Sequence, residues 1–151
     1  MVKKICLIAS SGGHFDELQR LTELEEKYLI YKVTEQTSYL SADKDTYLLK
    51  QVNRTEPLLI IKLLWNSFVS LKIFIREKPD IIISTGALAV IPTFFIGKIF
   101  RKKLIFIESF ANVNSPTLTG RLLYKICNIF IVQWEELQAF YPDAIYLGSI
   151  Y

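Results

Sequence analysis

Short runs of isoleucine, leucine, valine and phenylalanine recur along this chain, apolar at nearly every position and separated by longer stretches with helical spacing. Strands that lie bare on one face alternate polar with apolar, whereas these runs do not, so both of their faces must be covered. The runs are Lys4 to Ala9, Tyr28 to Thr34, Asp45 to Val52, Asp80 to Thr85, Lys103 to Glu108, Asn128 to Gln133 and Ala144 to Leu147. Between them the spacing predicts helices over Phe15 to Lys27, Pro57 to Lys78, Ala87 to Phe100, a stretch after Ser115-Pro116, and Glu135 to Phe140. Strand and helix in alternation give an α/β fold, an open, doubly wound parallel sheet of Rossmann-like form. Glu35 to Arg54 is the stretch whose pattern is weakest. Residues 1–151 carry no linker, repeat or low-complexity tract and read as a single domain. A chain of this length buries roughly 68–70% of its unfolded surface, enough for a core without disulfides or metals.

Charge and cysteine usage exclude several functions. A net charge of +3 is too small an excess to mark a nucleic-acid binder. Cys6 and Cys127 stand inside apolar runs, and the single histidine rules out a His/Cys zinc cluster. They read as buried thiols in a reducing compartment. The first apolar run is too short for a signal peptide, so the cytoplasm is the expected location.

Open parallel sheets bind ligands at the carboxyl ends of their strands, near the point where strand order reverses. Three segments fall on that edge. In Ser10-Ser11-Gly12-Gly13-His14 the paired glycines let backbone approach a ligand, and N–H groups opening the next helix suit an anion. A plain tight turn is the competing reading. The pattern is not G-x-G-x-x-G, and the second strand ends near Thr34-Glu35 without a clear ribose-binding match, so a nicotinamide cofactor fits poorly. No motif requires any other cofactor or a metal. His14 carries the side chain best suited to take up a proton near neutral pH, which makes it the candidate base. Ser84-Thr85-Gly86 and Glu108-Ser109-Phe110-Ala111-Asn112 close two further strands. Their hydroxyls and carboxylate suit sugar hydroxyls, with a structural cap as the alternative for Glu108.

Leu58 to Ile75 has thirteen apolar residues in eighteen, but Lys62 and Lys72 interrupt it and argue against a spanning helix. At 100° per residue, Ile60, Ile61, Leu64, Phe68, Leu71 and Ile75 form the expected core stripe. The other face mixes Lys62, Lys72 and Arg76 with Leu58, Leu63, Trp65, Val69, Ile73 and Phe74. Basic residues among aromatics suit an anionic lipid surface. Phe94 to Lys103, ending Arg101-Lys102-Lys103, offers a second such cluster. The expected lipid contacts are thus Lys62, Trp65, Lys72, Phe74, Arg76, Arg101, Lys102 and Lys103; a buried helix or a protein contact is the alternative.

In this order the edge motifs carry a resemblance. Ser11-Gly12-Gly13-His14 with Glu17 and Leu18, Ser84-Thr85-Gly86, and Glu108-Ser109-Phe110-Ala111 with Val113 are its first blocks. Leu118 to Tyr124, Phe130 to Trp134 with Leu137, Tyr141-Pro142 and Tyr146-Leu147-Gly148 complete it. The chain resembles the acceptor-side subunit of the two-part N-acetylglucosaminyltransferase that extends dolichol-pyrophosphate sugars. In size it is closer to the bacterial capsule and exopolysaccharide accessory subunits of that family. More distantly it is similar to the N-terminal half of the peptidoglycan lipid-intermediate glycosyltransferase, a GT-B enzyme. It departs from the family at Asn112, where arginine is frequent, and at Glu135, where proline is.

The resemblance implies half of an inverting glycosyltransferase, equivalent to a GT-B N-terminal domain and inactive alone. A donor-binding partner subunit would bring the nucleotide-sugar, and a lipid-pyrophosphate-linked saccharide would be the acceptor, for capsule or exopolysaccharide assembly. Ser11, Gly12 and Gly13 would face the pyrophosphate, and His14 would be the base. Glu108, counted with His14 as catalytic, would position the acceptor sugar with Ser84, Thr85 and Asn112, and Gly86 and Ser109 would also bind substrate. Eukaryotic members have an N-terminal anchor, which this chain is expected to replace by peripheral attachment to the inner face of the cell membrane. Two other readings are a scaffold that only recruits and stimulates the partner, and a standalone nucleotide-binding Rossmann protein.

Overall fold

A computed structural model describes residues 2–38 and 44–151. Among the described residues, seven strands form one parallel sheet: β1 (Lys4–Ala9), β2 (Leu29–Glu35), β3 (Thr46–Leu49), β4 (Ile81–Gly86), β5 (Lys103–Ile107), β6 (Ile129–Val132) and β7 (Ile145–Tyr146). Their spatial order is β3-β2-β1-β4-β5-β6-β7. The chain grows outward from β1 to β3, crosses back, and grows outward again from β4, so strand order reverses between β1 and β4. The carboxyl ends of those two strands open the crevice where doubly wound folds bind ligands.

The apolar runs become strands covered on both faces. Along β1, Cys6 and Ile8 join a core beneath the helices α2 (Leu59–Glu77), α3 (Ile91–Ile99) and α4 (Leu118–Tyr124). Ile5, Leu7 and Ala9 face the other side, where α1 (Gly13–Gln19) contributes Phe15 and Leu18. The period of two in the strand thus splits one uninterrupted apolar run between two cores. Helix α3 seats closely on the sheet because it presents Gly97, where a Cβ would come within 2.6 Å of Ile82 and 2.7 Å of Leu104. Cys6 is fully buried, which pushes its thiol up to about 12 and leaves it unreactive, whereas Cys127 is only half-buried.

Several expectations are shortened. The helix foreseen over Phe15 to Lys27 stops at Gln19, and a 3-10 segment covers Thr22–Glu26. Leu18, Leu21 and Leu24 recur every third residue, which satisfies a 3-10 period as well as an α-helical one. Ala87 to Phe100 likewise divides into a 3-10 turn (Leu88–Val90) and α3, and Glu135–Ala139 is 3-10. The third strand ends at Leu49 because side chains satisfy the backbone that follows. Asn66 of α2 bonds both the Lys50 N–H (2.9 Å) and its carbonyl (2.8 Å), and the Val52 N–H donates to Glu35 (2.8 Å).

Helix α2 overturns the stripe assignment. Its buried residues are Asn66, Ser70, Ile73 and Phe74, whereas Ile60, Ile61, Leu64, Phe68 and Ile75, expected in the core, are all more than half exposed. Asn66 and Ser70 tolerate burial because each has a partner, Asn66 at Lys50 and Ser70 at the Thr93 hydroxyl (3.0 Å). Periodicity locates two apolar stripes but not which of them meets the sheet. Among the described residues no helix is long and apolar enough to cross a membrane.

Candidate functional site

At the β1–β4 crevice the sequence-selected residues come together, though not in equivalent roles. The loop after β1 is drawn against the end of β4 by a bond from the Ser10 N–H to the Gly86 carbonyl (2.9 Å). Gly86 sits at φ +117°, and a Cβ there would come within 3.0 Å of the His14 ring. Glycine is therefore required twice, by its backbone conformation and by the imidazole pressed against it. His14 Nδ1 is buried and has no hydrogen-bond partner among the described residues. The Thr85 hydroxyl donates to the His14 carbonyl (2.6 Å), and the Ser84 hydroxyl accepts from the Gly86 N–H (3.0 Å). Both residues are fully buried, so they position the histidine and its glycine and are withdrawn from the set that touches sugar.

Glu108 is also reassigned. It is fully buried, and its carboxylate accepts from the Thr117 hydroxyl (2.8 Å), the Tyr141 hydroxyl (2.8 Å) and the Ser109 N–H (3.1 Å). With these donors around it, the carboxylate fastens the loop after β5 to the start of α4 and to Tyr141. Gly120 completes the packing: a Cβ there would collide with the Glu108 carboxylate and come within 2.7 Å of the Tyr141 hydroxyl. Of the residues read as binding sugar beside it, Ser109 is buried and Asn112 donates to the Ser115 carbonyl (3.3 Å).

Glu17 of α1 joins this network from the other side. It accepts from the Ser109 hydroxyl (3.2 Å), the Phe110 N–H (3.2 Å) and the Gln133 amide (3.1 Å), and Gln133 also donates to the Glu108 carbonyl (3.0 Å). Burial holds the Glu17 carboxyl above its ordinary range, against the pull of His14 and of its donors. The Trp134 indole donates to the Phe110 carbonyl (2.7 Å), and the Phe110 ring packs on Trp134 and Tyr151. One network therefore sets α1, and with it His14, relative to the loops after β5 and β6.

On the opposite side of the crevice the structure corrects the reading that no acidic residue ends the second strand. Glu35 ends β2, is 5% exposed, and takes N–H groups from Val52 (2.8 Å) and Ser11 (3.4 Å). Burial raises its carboxyl pKa against those two N–H groups. The acidic residue in the sequence was the available signal, and the side chains that close around it come from separate strands. Among the described residues, no group of three or more His, Cys, Asp and Glu side chains could hold a metal.

The outward stripe of α2 is a continuous apolar surface of Ile60, Ile61, Leu64, Trp65 and Phe68. Cations lie over its rings, Lys50 at 4.6 Å from Trp65 and Lys72 at 4.6 Å from Phe68. Phe74, expected to touch lipid, is only 4% exposed and packs on Phe100, so it leaves that set. Lys62 pairs with Glu56 and Arg76 lies over Tyr47. Arg101, Lys102 and Lys103 form the turn from α3 into β5, at the amino edge of the strands, away from His14.

The family described as "Oligosaccharide biosynthesis protein Alg14 like" matches residues 49–150. The UDP-N-acetylglucosamine transferase subunit ALG14 of Homo sapiens is 27% identical, over 97% of this chain and 82% of that protein. Its counterpart in Yarrowia lipolytica is 27% identical, over 93% and 65%. Among solved structures, MurG of Acinetobacter baumannii superposes with a TM-score of 0.71 at 12% identity, over 89% of this chain and 42% of that one. A UDP-N-acetylglucosamine 2-epimerase from Rickettsia bellii reaches a TM-score of 0.75 at 12% identity, over 99% and 46%. At these identities the likeness to the solved structures is one of fold, and this chain spans less than half of either.

Proposed function

Because the chain belongs to the Alg14-like family of oligosaccharide biosynthesis proteins, we propose that it is the acceptor-binding subunit of a two-subunit glycosyltransferase. A separate donor-binding subunit supplies the nucleotide-sugar, as the names of the relatives suggest. In this reading residues 1–151 act as a single domain equivalent to the N-terminal half of a GT-B enzyme, and the carboxyl edge of the sheet faces the partner. The acceptor is a lipid-linked pyrophosphoryl saccharide approached by Ser11, Gly12 and Gly13. The assignment to capsule or exopolysaccharide assembly rests on the resemblance of the motifs alone.

The observation that carries the reading is His14. An imidazole held against Gly86 beside the strand-order reversal, on the loop that borders the crevice, supports its use as the group that takes a proton from an attacking acceptor hydroxyl. An inverting transfer asks for one such base, and Glu17 and Glu108 are engaged in holding loops. The outward stripe of α2, with cations over its aromatic rings, supports peripheral attachment to an anionic membrane surface. On that basis the protein works on the cytoplasmic face of the cell membrane.

The test is reconstitution. The chain is co-purified with its donor-binding partner, and transfer from nucleotide-sugar to lipid-linked acceptor is followed with His14→Ala. Turnover is expected to fall about 10²–10⁴-fold while the complex stays assembled. Unchanged turnover would make the chain a scaffold, and efficient transfer by the chain alone would remove the need for a partner.

A further inference from the structure

The residues first matched to the acceptor sugar are mostly engaged inside the protein, so the open polar groups of the crevice must lie elsewhere. They lie on the β2 side. A cleft of about 280 Å³ is bounded by Ser11 after β1, Glu35 at the end of β2, Gln51, Asn53 and Arg54 after β3, and Leu88 after β4. It adjoins the strand-order reversal and shares the Ser10–Ser11 loop with His14.

Its chemistry is specific. A carboxylate offers about four lone-pair positions, and Glu35 meets three donors, the Val52 N–H and the Ser11 N–H and hydroxyl. The remaining position of a nearly buried acceptor group is left toward a cleft that also carries the amides of Gln51 and Asn53 and the guanidinium of Arg54. In doubly wound dinucleotide-binding folds an acid at this place holds a ribose hydroxyl, which shows that a carboxylate ending β2 can reach the hydroxyls of a bound ring. Arg54 makes no ion pair among the described residues, which suits a phosphate at the rim. The volume is below the roughly 300–1,000 Å³ of pockets that enclose whole drug-sized ligands. That volume suits a single ring.

We propose that this cleft holds the hydroxyl-bearing ring adjoining the diphosphate of the acceptor, with Glu35 as the residue that recognises its hydroxyls. The proposal rests on the reading of the chain as an acceptor-binding subunit and gives that subunit its sugar selectivity. Asn66 adds the reason the cleft keeps its shape. It holds the Lys50 backbone from α2 while Glu35 holds Val52, so Gln51 is tied on both sides and Asn53 and Arg54 follow directly from the second tie.

The experiment titrates the full isotopically labelled chain with decyl diphosphate and with its glucosyl ester, following backbone amides. The glucosyl probe is expected to bind about 10- to 100-fold more tightly, the effect of a hydrogen bond to a charged group. Ser11 and Val52 should shift with that probe. In Glu35→Gln the gap between probes should close while decyl diphosphate binds as before. A 2-deoxyglucosyl or 3-deoxyglucosyl probe on the wild-type chain should lose the same gap, which keeps the test valid if the variant fails to fold. A gap that survives Glu35→Gln and both deoxy probes overturns the proposal. So does equal weakening of both probes, which would make Glu35 only a tether for its loops, or Glu35-dependent occupation of the cleft by uridine diphosphate. Binding of decyl diphosphate without any gap removes this proposal alone; binding of neither probe, by the chain or its co-purified complex, removes the acceptor-subunit reading with it.

Discussion

Replacing Glu108 with alanine separates a structural carboxylate from one that touches substrate. Two hydroxyls lose their acceptor, those of Thr117 and Tyr141, each 2.8 Å from the carboxylate. Tyr141 is 1% exposed, so no water replaces the lost bond. Thr117 is only partly buried, so water meets its hydroxyl; the orphaned, buried Tyr141 hydroxyl costs about 1–3 kcal/mol. Total stability for a domain is about 5–15 kcal/mol. For a chain of this size each kcal/mol moves the melting midpoint by about 2–4 °C, and a middle value of about 2 kcal/mol lowers it by roughly 4–8 °C. The assay is thermal and urea unfolding of wild type, Glu108→Ala, Tyr141→Phe and the double variant. Tyr141→Phe removes one donor in advance, so Glu108→Ala should cost less in its presence, with a coupling of about 1–3 kcal/mol. A variant that melts within about 2 °C of wild type, or that shows no coupling to Tyr141, refutes the structural assignment. Loss of acceptor binding with unchanged stability would return Glu108 to the substrate.

Gly97→Ala should lower the urea midpoint without changing its slope. The new methyl meets Ile82 and Leu104 at under 3 Å, and overpacking of about 1–3 kcal/mol exceeds the roughly 1 kcal/mol gained in helix propensity. Burial raises the carboxyl pKa of Glu17 and Glu35, so the folded chain holds their protons more firmly than the unfolded chain. Their contribution to stability is greatest below the ordinary carboxyl pKa and falls as pH rises through the raised values. Unfolding of wild type and Glu17→Gln/Glu35→Gln from pH 4 to pH 8 should therefore show wild type losing stability relative to the variant as pH increases. Ile61 and Phe68 are more than half exposed on α2, and burying each apolar side chain in an interface is worth about 1.5–3 kcal/mol. Ile61→Glu/Phe68→Glu should then abolish sedimentation with anionic liposomes while leaving the melting midpoint unchanged, and retained sedimentation would locate membrane contact elsewhere.

Apolar runs such as Ile5 to Ala9 and Ile81 to Ile83 cannot leave either face in water, so the parallel sheet and its covering helices were legible from residue order. The site edge was legible for a related reason: polar residues directly after such runs, at Ser10 to His14 and Glu108 to Asn112, fall on the carboxyl edge of any parallel sheet. Which of those polar groups face a ligand was not. Glu108 and Glu35 are both carboxylates beside apolar strands, yet one is spent on Tyr141 and Thr117, partners more than eight positions away. The other borders a cleft assembled from four strand ends. Helix α2 gives the same lesson, since its pattern shows two apolar stripes and only the partners of Asn66 and Ser70 turn the one that carries them inward. Residue order determines what each segment must bury. Hydrogen-bond partners distant in sequence decide which polar groups can join them, because a buried donor or acceptor is stable only where tertiary structure supplies its mate.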